Sequence, residues 1–173
     1  MTLTKPKATI EDLYKVEEEA EIVNGEMVRY GATGGMPGYA ADEVFVSLRQ
    51  YAKRTRIGVA AEAGPNPGMK FYEGAPIFAV EVRSENDYGL NANTEIEITA
   101  KHRDYFAAGT LTVWDVDLLS EEDASVIRKY TAATGSDTPA AVFARGEVAD
   151  AEPAMPGWAM PVDDLFDLEG TGI

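Results

Sequence analysis

Apolar positions along the chain recur at helical spacing in some stretches and alternate in others, which predicts interleaved helices and strands. Thr9, followed three residues later by Asp12, predicts a helix start, and this helix is predicted to extend to about residue 19. Two short apolar stretches around Asn24-Gly25 predict a β-hairpin over residues 20–30, followed by a loop over residues 31–38. A second helix is predicted over residues 39–54, with a basic C-terminal end.

The middle of the chain holds the strongest strand, predicted over residues 75–83, and a helix over residues 94–108 that Gly109 closes. Further strands are predicted over residues 57–61, 111–117, 125–131 and 141–144, and a short helix over residues 162–168, while residues 63–74 and 148–160 are predicted to be irregular. Because strands and helices alternate without a linker or a change in composition, we predict one α/β domain over residues 1–173 with a mixed central sheet.

A carboxylate, that of Glu81, lies in the middle of the strongest predicted strand, among apolar residues. Ionised groups avoid such positions unless they bind a metal, pair with an opposite charge or take part in chemistry. Side chains alternate along a strand, so Glu81 shares a face with Ala79 and Arg83, and Arg83 lies about 6–7 Å along the strand. The pattern therefore points to Glu81 as the first candidate site residue.

Lys101 lies at the edge of the core-facing stripe of the following helix, from where its ammonium group can extend over the sheet toward Glu81. The alternatives are a solvated surface lysine and a simple ion pair, either Glu81–Lys101 or Glu81–Arg83. The stripe itself contains His102, the chain's one histidine, which we interpret as a core or boundary residue rather than a metal ligand.

Composition narrows the class of protein. The chain is 45% hydrophobic and 26% charged and has no cysteine, which is typical of a globular protein without disulfides or thiolate metal sites. No apolar run approaches the roughly 20 residues that span a bilayer, so we expect a cytoplasmic protein without a membrane partner.

The formal charge of -15 argues against tight non-specific binding of nucleic acids. It does not exclude a nuclease, because bound divalent cations reverse the local sign of an acidic site.

In their order and spacing, several segments resemble the Uma2 (DUF820) group of proposed restriction endonucleases, in the PD-(D/E)XK nuclease superfamily. The resemblance covers most of residues 9–131 and implies a restriction-endonuclease-like mixed sheet flanked by helices, with Mg²⁺-dependent (or Mn²⁺-dependent) hydrolysis of DNA phosphodiester bonds. The segments that carry it are Glu21-Ile-Val-Asn-Gly-Glu26, Ala75-Pro-Ile-Phe-Ala-Val-Glu-Val-Arg-Ser84, Asp87, Lys101 with Tyr105 and Gly109, and Val113-Trp-Asp-Val-Asp117.

The resemblance also implies roles for individual residues. Glu81 matches the glutamate of the (D/E)XK element and would be a metal ligand, and Arg83 stands where the superfamily often has a lysine. Lys101 matches a lysine that this group carries on the following helix, where it would orient the attacking water and stabilise charge on the phosphate. Glu21 matches a hairpin glutamate beside the metal site, although a surface strand residue is the alternative.

One expected part of the site is missing from the sequence. The superfamily's Pro-Asp pair, whose aspartate is usually the second metal ligand, does not occur before Glu81, and the acids between Arg56 and Glu81 are Glu62 and Glu73. Glu62 could replace that ligand, the site could be degenerate, or the chain could have lost an internal segment. The sequence thus predicts one of two functions. The first is an endonuclease acting on DNA, impaired by the missing ligand and expected to be a homodimer. The alternative is an inactive nuclease-fold protein serving as an acidic interaction and dimerisation module.

Overall fold

A four-stranded mixed sheet forms the centre of the computed structural model, which describes residues 7–17, 20–29, 34–56, 75–84, 93–118 and 125–167. The helices are α1 (Ile10–Leu13), α2 (Gly35–Thr55) and α3 (Asn93–Ala108). The strands are β1 (Ala20–Val23), β2 (Glu26–Arg29), β3 (Phe78–Val82), β4 (Thr112–Val116), β5 (Ser125–Thr131), β6 (Ala141–Ala144), β7 (Val148–Asp150) and β8 (Ala159–Pro161), followed by a short 3₁₀ helix at Val162–Leu165. Among the helices of these ranges, none is long and apolar enough to cross a membrane.

The strand order in the main sheet is β3-β4-β5-β6. β3 and β4 run parallel, whereas β4 with β5 and β5 with β6 run antiparallel. The parallel pair requires a crossover connection, and α3 provides it. The prediction of a mixed α/β sheet is therefore confirmed, and the parallel pair places β3 and α3 side by side in the fold.

The core lies on one face of this sheet and is dominated by aromatic side chains. Trp114 of β4 and Trp158 are nearly inaccessible to solvent, and their ring centroids are 5.0 Å apart. The ring of Phe78, from β3, meets Trp114 edge-on at 5.3 Å. Helix α2 covers this face through Ala40, Val44 and Tyr51. Because the side chains of β3 alternate, the polar residues of that strand project from the opposite face.

The hairpin prediction is confirmed in detail. β1 and β2 pair in register around a two-residue turn, and both turn residues, Asn24 and Gly25, have positive φ angles of 52° and 80°. Two successive positive φ angles are what a type I′ turn requires, and asparagine followed by glycine adopts them at low cost. A local pattern of two residues thus fixed the position of the hairpin that carries Glu21.

Several predicted boundaries differ from the observed ones. α1 ends at Leu13 rather than near residue 19, because the next amides, of Lys15 and Val16, bond carbonyls three residues back. α2 begins at Gly35 rather than residue 39, since Pro37 occupies the first turn, where a helix needs no amide donor. The segment 148–160, predicted to be irregular, contains β7 and the start of β8, paired through buried Ala149 and Met160. The predicted strand at 57–61 lies outside the described residues.

Candidate active site

Glu81 projects from the face of β3 that is opposite to the aromatic core. It lies in the middle of a five-residue strand, flanked in sequence by Val80 and Val82, which pack toward the core. The side chain retains 25% exposure, so the carboxylate is mostly surrounded by protein yet reachable from solvent. A partly buried carboxylate on a rigid strand is a typical way to hold a ligand or a reacting group in a fixed position.

Helix α3 presents two donors to the Glu81 carboxylate, one to each oxygen. The ammonium nitrogen of Lys101 lies 2.6 Å from Oε2 of Glu81. Tyr105 follows Lys101 by four residues, one helical turn, and its hydroxyl donates to Oε1 of Glu81 at 2.5 Å. Both carboxylate oxygens are therefore held by the same helix, which fixes the orientation of the Glu81 side chain.

The β1–β2 hairpin brings a second carboxylate to the same lysine. Oε2 of Glu21, on β1, lies 2.8 Å from the Lys101 ammonium nitrogen. The hairpin is tied to α3 at its turn as well, because the backbone amide of Asn24 donates to Oδ2 of Asp104 at 2.6 Å. Residues from three elements thus meet at one place, and we refer to Glu21, Glu81, Lys101 and Tyr105 as the Glu81 cluster.

The ionisation of the cluster follows from burial and from its own charges. Burial raises the pKa of the Glu81 carboxyl, Glu21 adds to the increase, and Lys101 opposes it. Burial alone would lower the pKa of Lys101, but the carboxylates of Glu81 and Glu21 outweigh it and raise that pKa. Burial, followed by the charge of Glu81, raises the pKa of the Tyr105 hydroxyl. Near neutral pH the lysine is therefore charged and the tyrosine remains a hydrogen-bond donor.

Arg83 lies on the same face of the sheet but belongs to a different network. Its guanidinium group donates from Nε and from one terminal nitrogen to the two oxygens of Asp115, at 2.8 and 2.7 Å. The other terminal nitrogen donates to Glu95, on α3, at 2.6 Å. Asp115 pairs in register with Glu81 on the neighbouring strand and is 1% exposed. The structure therefore places Arg83 beside the Glu81 cluster without joining it, in contacts suited to neutralising a buried aspartate.

His102, on helix α3, is buried, as its position in the core-facing stripe of that helix predicts. Its ring lies 4.6 Å from that of Tyr130, between centroids, and is 1% exposed. Within the part of the chain that the structure describes, neither ring nitrogen has a hydrogen-bond partner. Burial lowers the pKa of His102, so the ring is held in its neutral form. The geometry agrees with a core residue and not with a metal ligand.

The metal-binding capacity of the described residues rests on two carboxylates. Over the ranges that the structure covers, no three acidic or histidine side chains are close enough to form a metal site. Glu81 and Glu21 share a cation already, the Lys101 ammonium group, so this position attracts positive charge. Mg²⁺ commonly uses one or two carboxylates and retains several waters, and the two glutamates fit that requirement. Glu62, predicted as a further ligand, lies outside the described residues.

Tyr105 and Asp115 belong to the segments that carry the resemblance, but the sequence alone predicted no role for either residue in these networks. For Tyr105 a usable pattern exists, because a residue four positions after Lys101 lies on the same side of the helix and approaches the same strand position. For Asp115 the usable pattern is a carboxylate inside the next apolar strand. Which basic side chain this carboxylate contacts depends on the parallel register of β3 and β4.

Comparisons with known proteins identify the fold. No family model matches the sequence, and no curated protein matches it either. A solved structure does: a proposed nuclease belonging to DUF820 from Anabaena variabilis ATCC 29413, with 14% sequence identity and a TM-score of 0.65. The match covers 92% of this chain and 97% of that one. The chain has the nuclease-like fold of this DUF820 protein.

Proposed function

We propose that the protein is a metal-dependent endonuclease that hydrolyses phosphodiester bonds of DNA. The observation that carries the proposal is the arrangement of Glu81, held on β3 by Lys101 and Tyr105 of α3 with Glu21 beside them. The shared fold with a proposed nuclease of DUF820 supports it. Neither argument alone names the reaction, but a strand carboxylate facing a helix lysine on this fold is the arrangement that the resemblance implies.

Glu81 and Glu21 are the proposed ligands of a divalent cation, Mg²⁺ or Mn²⁺, with Glu62 as a further predicted ligand. When bound, such a cation polarises a phosphoryl oxygen and lowers the pKa of a bound water. Lys101 supplies positive charge where the phosphate gains negative charge in the transition state. Arg83 has a supporting role in this proposal, because its donors are taken by Asp115 and Glu95.

The formal charge of -15 shapes how DNA would bind. A protein of this charge repels a polyanion at long range, so productive binding depends on the divalent cation, and added salt weakens the repulsion by screening it. Cleavage of both strands would need two sites, and a symmetric homodimer is the simplest way to provide them. A homodimer and a cytoplasmic location are therefore parts of the proposal.

The test is incubation of the purified protein with supercoiled plasmid DNA and Mg²⁺ or Mn²⁺. We expect nicked or linear product that requires the cation and disappears when a chelator is added. A clean preparation that produces no cleavage with either cation, over a range of DNA substrates, would contradict an active nuclease.

A second candidate is an inactive nuclease-fold protein that acts as an acidic interaction and dimerisation module. One observation favours it: the described residues bring two carboxylates to the cluster, and both are paired with a lysine. Titration calorimetry distinguishes the candidates. Mg²⁺ binding with a millimolar or tighter dissociation constant, lost in Glu81→Gln, favours the nuclease, and its absence favours the interaction module.

A further inference from the structure

The Lys101 ammonium group lies between two carboxylates that come from separate parts of the fold. Its nitrogen is 2.6 Å from Oε2 of Glu81 and 2.8 Å from Oε2 of Glu21. The Glu21 side chain is 44% exposed, whereas the side chains of Lys101 and Glu81 are 16% and 25% exposed, so the contact between these two is made largely away from bulk water. Electrostatic attraction is stronger there than at an open surface. Lys101 therefore makes contacts with both glutamates that a bound cation would also make.

Glu21 and Glu81 can lie close together because the positive charge of Lys101 is in contact with both carboxylates. Carboxylates sharing one site repel each other, and the repulsion is relieved by a proton or by a cation. On Glu81 the other oxygen is engaged as well, since Tyr105 donates to it. A divalent cation that uses these glutamates must therefore compete with Lys101 for their oxygens, because an ammonium group and a dication bound to the same oxygen repel each other.

We propose that Lys101 is the internal counter-ion of the Glu81 cluster and leaves Glu81 and Glu21 for the substrate phosphate when a divalent cation binds. The inference rests on the proposed function, since it takes the two glutamates as the cation's ligands. The four-carbon stem of lysine permits the movement without a change in α3. The positive charge of Lys101 thus keeps the two glutamates together before a cation binds, and it neutralises the substrate phosphate afterwards.

The proposal predicts that removing Lys101 strengthens cation binding, whereas removing a residue that supports a binding site usually weakens it. If Lys101 only positions the glutamates, Lys101→Met should weaken cation binding. If Lys101 is a competing counter-ion, Lys101→Met should strengthen it, by about tenfold at low ionic strength, because one positive charge is removed from contact with both ligands. The gain should shrink as salt is added, since screening weakens the interaction of the partly exposed charges.

The experiment is a titration of DNA-free protein with MnCl₂, with free Mn²⁺ followed by electron paramagnetic resonance. The wild type is compared with Lys101→Met, with Lys101→Gln as a second neutral variant, and with Lys101→Arg as the variant that retains the charge. We expect an approximately tenfold lower dissociation constant for both neutral variants and little change for Lys101→Arg. Equal or weaker Mn²⁺ binding in the folded neutral variants would overturn the proposal.

A double variant locates the effect. Combining Lys101→Met with Glu81→Gln should abolish the gain in affinity, and a gain that persists without the Glu81 carboxylate would contradict the proposal. The titration is independent of DNA cleavage. Tighter Mn²⁺ binding by Lys101→Met in a protein whose wild type cleaves no DNA would support the counter-ion role while refuting the nuclease function.

Discussion

The Tyr105 hydroxyl lies 2.5 Å from Oε1 of Glu81, while the Lys101 ammonium nitrogen lies 2.6 Å from the other carboxylate oxygen, Oε2. Tyr105 and Lys101 are one turn apart on α3, so a single helix sets the orientation of both oxygens. Because the helix is the crossover between the parallel strands β3 and β4, its position over the sheet is set by the fold itself. The geometry of the Glu81 cluster is thus a consequence of the βαβ connection.

Tyr105→Phe should reduce DNA cleavage by about tenfold, which corresponds to roughly 1.4 kcal/mol, close to the lower end of the values for a hydrogen bond to a charged group. The ring is retained, so the fold should persist. The measurement is the initial rate of plasmid nicking at saturating Mg²⁺.

Tyr51→Phe is the matched control for that variant. Its hydroxyl donates to the carbonyl of Pro156 at 2.6 Å, on the core side of the sheet and remote from Glu81. We expect a similar loss of stability in urea but an unchanged cleavage rate. Equal rates for Tyr105→Phe and the wild type would show that the contact with Glu81 has no part in the reaction.

Arg83→Ala should lower the free energy of unfolding by about 3–5 kcal/mol, because it leaves the buried carboxylate of Asp115 without its partner. Arg83→Lys should lie between the wild type and the alanine variant, since lysine restores the charge but not the paired donors. Urea denaturation measures both effects. A stable Arg83→Ala variant that had lost only cleavage would instead assign Arg83 to the catalytic apparatus.

Stability should depend on pH through His102. Burial lowers its pKa below the ordinary value of 6.5, so the unfolded chain takes up a proton more readily than the folded one. The contribution of neutral His102 to the free energy of unfolding is complete above about pH 6.5. It is lost as the pH falls toward the folded-state pKa, and the free energy of unfolding then decreases by at most about 1.4 kcal/mol per pH unit. His102→Phe should remove that component of the slope below about pH 6.5. Urea denaturation of both proteins across this range is the measurement, and an identical slope would contradict the assignment.

Asp104→Ala should loosen the β1–β2 hairpin, because the Asn24 amide loses the carboxylate that it contacts at 2.6 Å. We expect a loss of about 1 kcal/mol and faster hydrogen exchange at the Asn24 amide. Asp137→Ala is the control, since Asp137 is also exposed and paired with α3, through Arg103, but has no contact with the turn. Unchanged exchange at Asn24 in Asp104→Ala would mean that the hairpin is held by its other contacts.

Local patterns were sufficient to predict some of these features. The Asn24-Gly25 turn and β5, at Ser125–Thr131, were predicted at their observed positions because turn geometry and alternation are encoded within a few residues. The β7–β8 pair was not predicted, because its short strands are joined across two prolines, Pro153 and Pro156, and recognise each other only in the folded chain.

The partners of the charged residues were harder to predict than the strands. Strand spacing places Arg83 near both Glu81 and Asp115, and the choice between them depends on the parallel register of two strands more than 30 residues apart. The contact of Glu21 with Lys101 was hard to predict for a similar reason, because it depends on how the hairpin packs against α3 in the folded chain. The resemblance to Uma2 proteins implied that Glu21 lies beside the metal site, with a surface strand residue as the alternative, but did not imply its contact with Lys101.

The most direct test of the account compares Glu81→Gln with Glu95→Gln in plasmid cleavage at equal protein and Mg²⁺ or Mn²⁺ concentrations. Both variants remove one glutamate charge that faces a basic side chain, but only Glu81 contacts Lys101, whereas Glu95 contacts Arg83. The account predicts cleavage reduced by at least about a hundredfold in Glu81→Gln, because changing even the residues that support metal ligands costs about 10–100-fold, and near wild-type cleavage in Glu95→Gln. Wild-type cleavage by folded Glu81→Gln would contradict it.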